Sequence, residues 1–394
     1  MAEMKPNEHH KSSNPNKAAS SNQQTLHNSY TKNTINKTNY NHPNLESQND
    51  EHQNIQMPII VGTCPFMCPV EERLRRERLR DLAKFERLHG NPSKSSPDLA
   101  VKKFCRTISM KYLQASDVRP LPVLVDTLNY VLNIWKCGEH PFEVVHDFIF
   151  DRIRSVRQDL SMQNLSNDNV IAMYERMVEF HVISDHIFRL GDRSNETSSK
   201  SYLNMEQLTK TLTSLYNLYE VNRDAESIYP KEAEFRSLYV LLHLHADNQG
   251  ESLHLWFCYV SSNILNSKEM HFARKVLRYF RLGNFKRFIY SIEAEASYLQ
   301  YCILEPHISE VRAFAISCVN TSAYKLQPFS LLELAKLLLI KESELQSLCR
   351  DCGLSTSSDE VGNSVLPSKQ TTFSYPKREA QHYYPLDSER FSEG

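Results

Sequence analysis

Glycine is scarce in this sequence, which has only 9 glycines among 394 residues, against a typical usage of about 7%. No two of them lie closer together than nine residues. The glycine-rich loops that hold nucleotide phosphates and the G-x-S-x-G turn of many hydrolases need glycines a few residues apart, so both are excluded. Folds with many tight hairpins are disfavoured as well, because glycine supplies the positive φ of their turns. A mostly helical protein without a nucleotide loop remains.

Long hydrophobic runs are also missing. The most apolar run, residues 331–340, carries Glu333 and Lys336, whereas a membrane-spanning helix needs roughly 20 apolar residues. The first 57 residues are mostly polar and contain no apolar signal segment. The net charge is only −1, so no global field draws the chain to nucleic acid or to a membrane. We therefore expect a soluble, intracellular protein without a membrane partner, whose nine cysteines are reduced thiols.

Composition and spacing divide the chain into four parts. Residues 1–57 include 12 asparagines and few aliphatic side chains, so they are predicted to be disordered. Residues 58–324 place apolar side chains at helical spacing, without a fixed repeat period. Residues 325–380 combine two short helices with a β-branched and aromatic stretch at 365–376, which is typical of a winged helix; a final helical hairpin is the alternative. The last residues, 381–394, are predicted to form a flexible tail.

The expected fold is all-α: an irregular α-solenoid of helical hairpins, closed by a C-terminal winged helix with a small β-wing. Softer segments are expected at 191–201 and 355–364. Besides helices beginning near residues 142, 205 and 230, the apolar spacing predicts helices at 69–88, 98–115, 121–137, 168–189, 251–265, 270–282, 285–302, 308–323, 329–340 and 342–352.

Residues 62–76 read Gly-Thr-Cys-Pro-Phe-Met-Cys-Pro-Val-Glu-Glu-Arg-Leu-Arg-Arg. The second proline suits the first turn of a helix, and the two glutamates then face the positive end of its dipole. Cys64 and Cys68 would be half of a zinc site if Cys349 and Cys352 lay beside them. Nothing in the spacing joins the two pairs, so buried, unreactive thiols are the preferred interpretation.

A second block, residues 142–160, has one apolar stripe at helical spacing. The stripe consists of Phe142, Val145, Phe148, Ile149, Ile153 and Val156. Beside it, Asp151 can pair with Arg154, while Arg157 is left for a carboxylate outside the helix. Asp147 and Asp151 could also bind a metal or exchange protons, but the adjacent arginines favour structural ion pairs. No nucleophile, base and orienting group occur together, so no enzymatic activity, metal or cofactor is predicted.

These two blocks resemble the SAC-three/GANP family of mRNA-export scaffolds. The resemblance covers about residues 60–380 and includes Glu175, Phe180-His181 and Glu232–Arg236. It implies a helical-repeat domain closed by a winged helix, as in subunits of the proteasome lid and of translation initiation factor three. The signature positions, with an implied structural or partner-binding role, are Cys64, Met67, Cys68, Pro69, Glu72, Arg73, Arg76, Asp147, Asp151, Arg152, Arg154, Arg157, Gln158 and Asp159.

The resemblance also implies a function. It is that of a non-enzymatic scaffold subunit in a transcription-coupled export complex of the TREX-two type, which brings mRNA particles to nuclear pores. The implied partners are a second PCI-domain protein, a small acidic Dss/Sem-type subunit and RNA, rather than a second copy of this chain. The implied location is the nucleus, including the nuclear-envelope side of the pore.

Three departures from the long family members leave an alternative open. No Phe-Gly dipeptide occurs, Glu179 stands where the family usually has arginine, and no long centrin-binding helix is expected after the wing. The alternative is a centrosome- or spindle-associated factor of the same family, located in the cytoplasm or at the centrosome, with centrin as a further candidate partner.

Two basic clusters stand out from the neutral background. Residues 271–290 contain no acidic residue and interleave cations with aromatic side chains, a combination that suits single-stranded nucleic acid. The predicted nucleic-acid residues are Arg274, Lys275, Arg278, Arg281, Lys286 and Arg287. The arginines at 73–80 are a second candidate, and a solvated helix face is the alternative for both clusters. The predicted helix at 341–351 has three acidic and two basic residues, so we expect it to pack on a partner rather than in a DNA groove.

Overall fold

The computed structural model describes residues 60–108, 113–136, 138–191, 195–223, 229–245, 250–322, 327–376, 384–387 and 389–391. The predicted disordered segment 1–57 lies outside these residues. The described chain is mostly helical, with a small sheet near its C-terminal end. Its helices are α1 (Val70–Leu79), α2 (Leu121–Lys136), α3 (Phe142–Met162), α4 (Asp168–Leu190), α5 (Asn195–Val221), α6 (Glu232–Leu242), α7 (Gly250–Tyr259), α8 (Ser262–Leu265), α9 (Lys268–Arg281), α10 (Phe285–Glu295), α11 (Tyr298–Ser322), α12 (Leu331–Leu338) and α13 (Glu342–Asp351).

Helices that follow one another in the chain pack together. α2 packs on α3, α4 on α5 and α9 on α10, while α11 lies against α4, α6 and α10. One hydrophobic cluster extends from Val101 to the C-terminal helices, which confirms the predicted all-α solenoid with a small β-wing. α5 begins at Asn195, inside the segment 191–201 that was predicted to be soft. Across the described residues, no helix combines the length and the apolar character needed to cross a bilayer.

Helix α3 buries one broad face. Phe148, Ile149 and Ile153 are at most 5% exposed, so the predicted apolar stripe does face the core. Arg152 and Asp159 lie on the same face as Phe148 and are buried with it, at 2% and 0% exposure. Charged side chains in such a position must be paired, and their partners come from the residues before α2.

The helix predicted at 98–115 is wrong for the described residues of this segment, 98–108 and 113–115, because none of them is α-helical. The backbone donors of Val101, Lys103 and Phe104 bond to side-chain carboxylates instead of to carbonyls one turn back. Val101 N donates to Glu86 Oε1 (3.0 Å), and Lys103 N donates to Glu72 Oε1 (2.8 Å). A backbone whose donors are satisfied in this way does not need the helical hydrogen bonds. Spacing alone does not reveal acceptors that are distant in sequence.

Helix α11 continues through a proline. The sequence predicted separate helices at 285–302 and 308–323, but Pro306 lies inside one helix. Proline has no N–H to donate to the carbonyl four residues earlier, which is that of Cys302. Arg189 of α4 donates to this carbonyl through Nη2, so the carbonyl is not left unpaired where the helix continues.

The C-terminal sheet contains β1 (Phe329–Ser330), β2 (Ser357–Ser358) and β3 (Ser364–Leu366), paired antiparallel in the order β1-β3-β2. The ribbon was predicted later, at 365–376, with 355–364 as a soft segment. The hairpin between β2 and β3 instead turns at Gly362, which has a φ of +93°. Asp359 Oδ1 accepts a hydrogen bond from Asn363 N (2.8 Å) in the same turn. This local turn chemistry decided the position of the strands.

A buried arginine joins the end of α12 and the C-terminal segment to α11. Arg312 of α11 is 0% exposed and donates to the carbonyl oxygens of Leu338 (3.1 Å) and Tyr384 (2.6 Å). The carbonyls at the end of α12 carry partial negative charge and so stabilise a cation, although burial lowers the pKa of Arg312 to about 10. The described part of segment 381–394, predicted to be flexible, is therefore packed, and Phe391 stacks on a tyrosine of α11.

We expect Ile153→Ala to lower the free energy of unfolding by about 2–5 kcal/mol, because it opens a cavity in the core. Val144→Ala is the matched control, since Val144 lies on the same helix but is 43% exposed, and it should cost no more than about 0.5 kcal/mol. Urea denaturation measures both changes. Equal effects would mean that the apolar stripe of α3 does not face the core.

Candidate functional site

The segment before α1 lies directly against the segment before α2. Cys64 N donates to Val118 O (3.0 Å), and Lys102 N donates to Met67 O (2.9 Å). Gly62 is the point of closest approach, since a Cβ there would lie 2.6 Å from Val118 O. A side chain at position 62 would therefore force the two segments apart.

The cysteines of this segment are structural. Cys64 and Cys68 are 2% and 1% exposed. Burial raises the pKa of both thiols, to about 12 for Cys68, so both are protonated at neutral pH. Cys349 and Cys352 are buried elsewhere, and among the described residues no three of these four sulfurs come within 4.8 Å of one another. The structure therefore favours buried thiols over the zinc alternative.

Glu86 lies at the centre of a buried group of charges. It is 0% exposed and accepts hydrogen bonds from Arg76 Nη2 and from Arg152 Nη2 (3.0 Å). Burial alone would raise the pKa of Glu86, but the positive charges of Arg152 and Arg76 keep it below its ordinary value. Arg152 also pairs with Asp151, which pairs in turn with Arg154 (3.0 Å). The predicted structural pair between Asp151 and Arg154 is therefore present.

Asp159 is the centre of a second buried group. Arg119 Nε and Lys102 Nζ each lie 2.7 Å from one of its carboxylate oxygens. Arg119 Nη2 also donates to Ser155 Oγ (2.9 Å). Both Asp159 and Arg119 are 0% exposed. We call the two groups together the signature network; its members are Arg76, Glu86, Lys102, Arg119, Asp151, Arg152, Arg154 and Asp159.

Three members of the signature network, Glu86, Lys102 and Arg119, were not predicted from the sequence. Glu86 and Lys102 look like ordinary surface charges in the sequence. Arg119 is the single charged residue in the stretch Val-Arg-Pro-Leu-Pro-Val. A lone charge in an apolar segment is a usable signal, because such a charge is buried only with a partner.

The other predicted residues of α3 have separate environments. Asp147 is exposed and pairs with Lys200 (3.0 Å), so it does not form a metal or acid–base site with Asp151. Gln158 Nε2 donates to Cys105 O (2.8 Å). Arg157 Nη1 donates to Gln207 Oε1 (3.2 Å), and within the described ranges it forms no ion pair with a carboxylate. Burial lowers the pKa of Arg157.

The arginines at 73–80 differ in their burial. Pro69 immediately precedes the helix, and Glu72 lies in its first turn. Arg76 is 2% exposed and belongs to the signature network, whereas Arg73 forms an intrahelical pair with Glu77 (3.6 Å). The remaining arginines of this cluster are exposed, and they are Arg75, Arg78 and Arg80.

The predicted nucleic-acid residues lie on the consecutive helices α9 and α10. Lys275 is half-buried and pairs with Glu295. The other five cations are exposed, and no ion pair holds any of them in the part of the chain that the structure describes. We call these five the basic face: Arg274, Arg278, Arg281, Lys286 and Arg287.

The aromatic side chains near the basic face serve mainly as core. Phe288 is 0% exposed, and Phe280 packs against it with ring centroids 5.7 Å apart. Phe285 is half-buried. Tyr290 is 40% exposed, and its hydroxyl donates to Lys336 O (3.1 Å). Exposed cations, rather than exposed aromatic rings, therefore make up most of the basic face.

The family is shown by comparison with known proteins. The model of the SAC3/GANP family matches residues 67–358, which include α1, α3 and the signature network. The chain therefore belongs to the SAC3/GANP family, as the sequence resemblance indicated.

Three curated relatives extend this finding. The chain is 33% identical to SAC3 family protein B of Arabidopsis thaliana over 314 residues, which are 77% of this chain and 18% of that protein. It is 29% identical to SAC3 family protein 1 of Schizosaccharomyces pombe, over 66% of this chain and 26% of that protein. It is 28% identical to Protein xmas of Drosophila melanogaster, over 65% of this chain and 12% of that protein. The chain thus spans about a quarter or less of the length of these relatives, and none of their names specifies an enzymatic activity.

The Glu232–Arg236 block of the resemblance is also held by ion pairs. Arg236 Nε lies 2.6 Å and Arg223 Nη2 lies 2.5 Å from Glu232 Oε1. Glu179, which departs from the family pattern, pairs with Lys231 (2.9 Å). An acidic residue at position 179 is therefore matched by a nearby lysine.

We expect Glu86→Gln to lower the free energy of unfolding by about 3–5 kcal/mol, because it removes the buried carboxylate that two buried guanidinium groups share. Asp81→Asn is the control, since Asp81 pairs with Lys103 (2.9 Å) at a position where both side chains are about half exposed, and it should cost at most about 1 kcal/mol. Chemical denaturation at neutral pH measures both. A small effect at Glu86 would mean that the buried charges are dispensable.

Acid should remove the contribution of Glu86. Its pKa in the folded chain lies below the ordinary value of 4.5, so the stabilisation is complete above that pH and is lost as the pH falls through the folded pKa. The difference in stability between the natural chain and Glu86→Gln should therefore shrink below about pH 4.5. A difference that stayed constant down to pH 2 would contradict this assignment.

Proposed function

We propose that this chain is a non-enzymatic scaffold subunit of a transcription-coupled mRNA export complex of the TREX-two type. The observation that carries the proposal is the family match over residues 67–358. In this role the chain pairs with a second PCI-type protein and a small acidic Dss/Sem-type subunit. It contributes to RNA binding and to the docking of mRNA particles at nuclear pores, and it acts in the nucleus.

The burial of the signature network supports a scaffold. Glu86 and Asp159 are 0% exposed, and each is held by two cations, so neither carboxylate is accessible to a substrate. The Cys64 and Cys68 thiols are buried and protonated, which makes them poor nucleophiles. These groups are suited to fixing the positions of helices rather than to transferring protons or attacking a substrate.

The basic face supports a contribution to RNA binding. Five exposed cations on two consecutive helices can each neutralise a phosphate and release a counterion. Because most of the neighbouring aromatic side chains belong to the core, the contacts are expected to be to phosphates and to depend little on base sequence.

The C-terminal unit, which we interpret as a winged helix, supports contact with a protein partner. α13 carries three acidic residues, Glu342, Glu344 and Asp351, against Arg350, and such a helix is repelled by the phosphates of a DNA groove. Leu332 on the neighbouring α12 is 51% exposed. An acidic surface with an exposed leucine suits the PCI-type partner better than nucleic acid.

Replacing three cations of the basic face together should weaken RNA binding and reduce its salt dependence. Each lost phosphate contact removes about 0.7 from the slope of log K against log salt, so the triple change should reduce the slope by about 2. Fluorescence anisotropy with a labelled single-stranded RNA over a salt series, with the partner subunit present, measures both effects. The changes are Arg278→Gln, Arg281→Gln and Arg287→Gln.

A matched triple change at the second candidate cluster, in and just after α1, is the comparison. Arg75→Gln, Arg78→Gln and Arg80→Gln remove the same number of exposed charges and should leave the slope unchanged if the basic face, and not this cluster, contacts the RNA. Exposed charges contribute little to stability, so thermal unfolding of both triple variants should match the natural chain. An unchanged slope in the α9–α10 variant would assign RNA binding to another surface.

Affinity purification of the full chain followed by mass spectrometry tests the complex. Recovery of a PCI-type protein and a Dss/Sem-type subunit is expected. Recovery of centrin and centrosomal or spindle proteins without export subunits would favour the alternative of a centrosome- or spindle-associated factor.

A further inference from the structure

Two histidines and a carboxylate meet beside α11, outside the signature network. His307 and Glu310 lie three residues apart on α11 and therefore face the same side of the helix, while His245 reaches them from the segment after α6. His245 Nε2 lies 3.1 Å from Glu310 Oε2, and His307 Nδ1 lies 3.8 Å from the same oxygen. All three ligand atoms lie within 4.8 Å of one another, which no other group of three His, Cys, Asp or Glu does among the described residues.

These distances suit a tetrahedral metal ion. With metal–ligand bonds of about 2.0–2.1 Å, two ligand atoms of a tetrahedral site are about 3.3 Å apart. The observed distances of 3.1 and 3.8 Å lie on either side of that value. Small rotations of the side chains would therefore centre an ion among the three atoms. The side chains of His245 and Glu310 are 41% and 43% exposed, so an ion can reach the group from solvent.

The chemistry of the three groups favours a transition metal. Glu310 adds one negative charge. Two imidazoles and one carboxylate suit Zn²⁺ or a similar ion, whereas Ca²⁺ and Mg²⁺ prefer sites made of oxygen atoms.

We propose that His245, His307 and Glu310 form a binding site for Zn²⁺ or a chemically similar divalent transition metal. The three side chains occupy three coordination positions, and the fourth is open to water or to a side chain of a partner. The sequence alone does not predict this site, because the two histidines are 62 positions apart and a His-x-x-Glu pair by itself is common on helices.

A bound ion would fasten the segment after α6 to α11. Phe280 of α9 packs against both imidazoles, with ring centroids 5.1 Å from His245 and 5.4 Å from His307. α9 also carries Arg278 and Arg281 of the basic face. The metal would therefore stiffen the support beneath that face. The site itself does not depend on an RNA-binding role.

Cobalt binding tests the proposal. The full chain, with the exposed Cys105 and Cys258 changed to serine to remove accessible thiols, is stripped with a chelator and titrated with Co²⁺. Four-coordinate cobalt has characteristic visible bands that added Zn²⁺ abolishes. We expect one equivalent of such a site in this parent chain. His271→Ala, which removes an exposed histidine of α9, is the control and should bind identically.

His245→Ala and Glu310→Gln should each weaken binding at this site at least tenfold. The five histidines in residues 1–57 are present in every variant, so any metal they bind cancels in the comparison. Zn²⁺ should also raise the melting temperature of the parent but not of His245→Ala, because a ligand stabilises only the state that binds it. Should His245→Ala fail to fold, Glu310→Gln decides, since it keeps the size of the side chain. Identical cobalt spectra and stoichiometry in the parent and both variants would overturn the proposal and leave only a hydrogen-bonded cluster.

Discussion

Two carboxylates with no exposure to solvent, Glu86 and Asp159, hold the first helices of the chain in place. An isolated buried charge costs several kcal/mol, so each carboxylate is stable only while its cations and backbone donors surround it. Those partners come from α1, from the extended segment before α2 and from α3. Because no one of these elements can move without exposing or isolating a charge, they depend on one another. Five of the eight members of the signature network are positions at which the sequence resembles the family: Arg76, Asp151, Arg152, Arg154 and Asp159.

Arg312 holds the C-terminal elements in place in a similar way, but its partners are backbone carbonyl groups instead of carboxylates. It attaches the end of α12 and the segment near Tyr384 to α11. The chain thus uses buried arginines to join elements that apolar packing alone would not orient. Exposed cations form the basic face on α9 and α10 and a second group in and just after α1, where they are accessible to another molecule. This separation of buried and exposed charge supports the proposed scaffold function.

Elements whose stability depends on nearby residues could be predicted. The burial of the apolar stripe of α3, from Val145 to Val156, could be predicted because helical spacing repeats within a few turns. The segment at 98–115 was wrongly predicted as helix, since its donors bond to Glu72 and Glu86 rather than within the segment. A helix boundary was wrongly predicted near Pro306, because the donor that replaces its missing N–H belongs to Arg189 on another helix and cannot be recognised from local spacing.

The sequence by itself determined the helical class, the family, the apolar stripe of α3 and the concentration of cations at 274–287, because composition and spacing carry this information locally. Only the tertiary structure decided that Arg76 is buried while Arg75, its neighbour, is exposed. An arginine can be buried only where a counter-charge is brought to it, and Glu86 reaches Arg76 through the fold of the chain. The tertiary structure also decided that His245 lies beside His307 and Glu310 of α11. These residues come together only because the chain folds back across several helices.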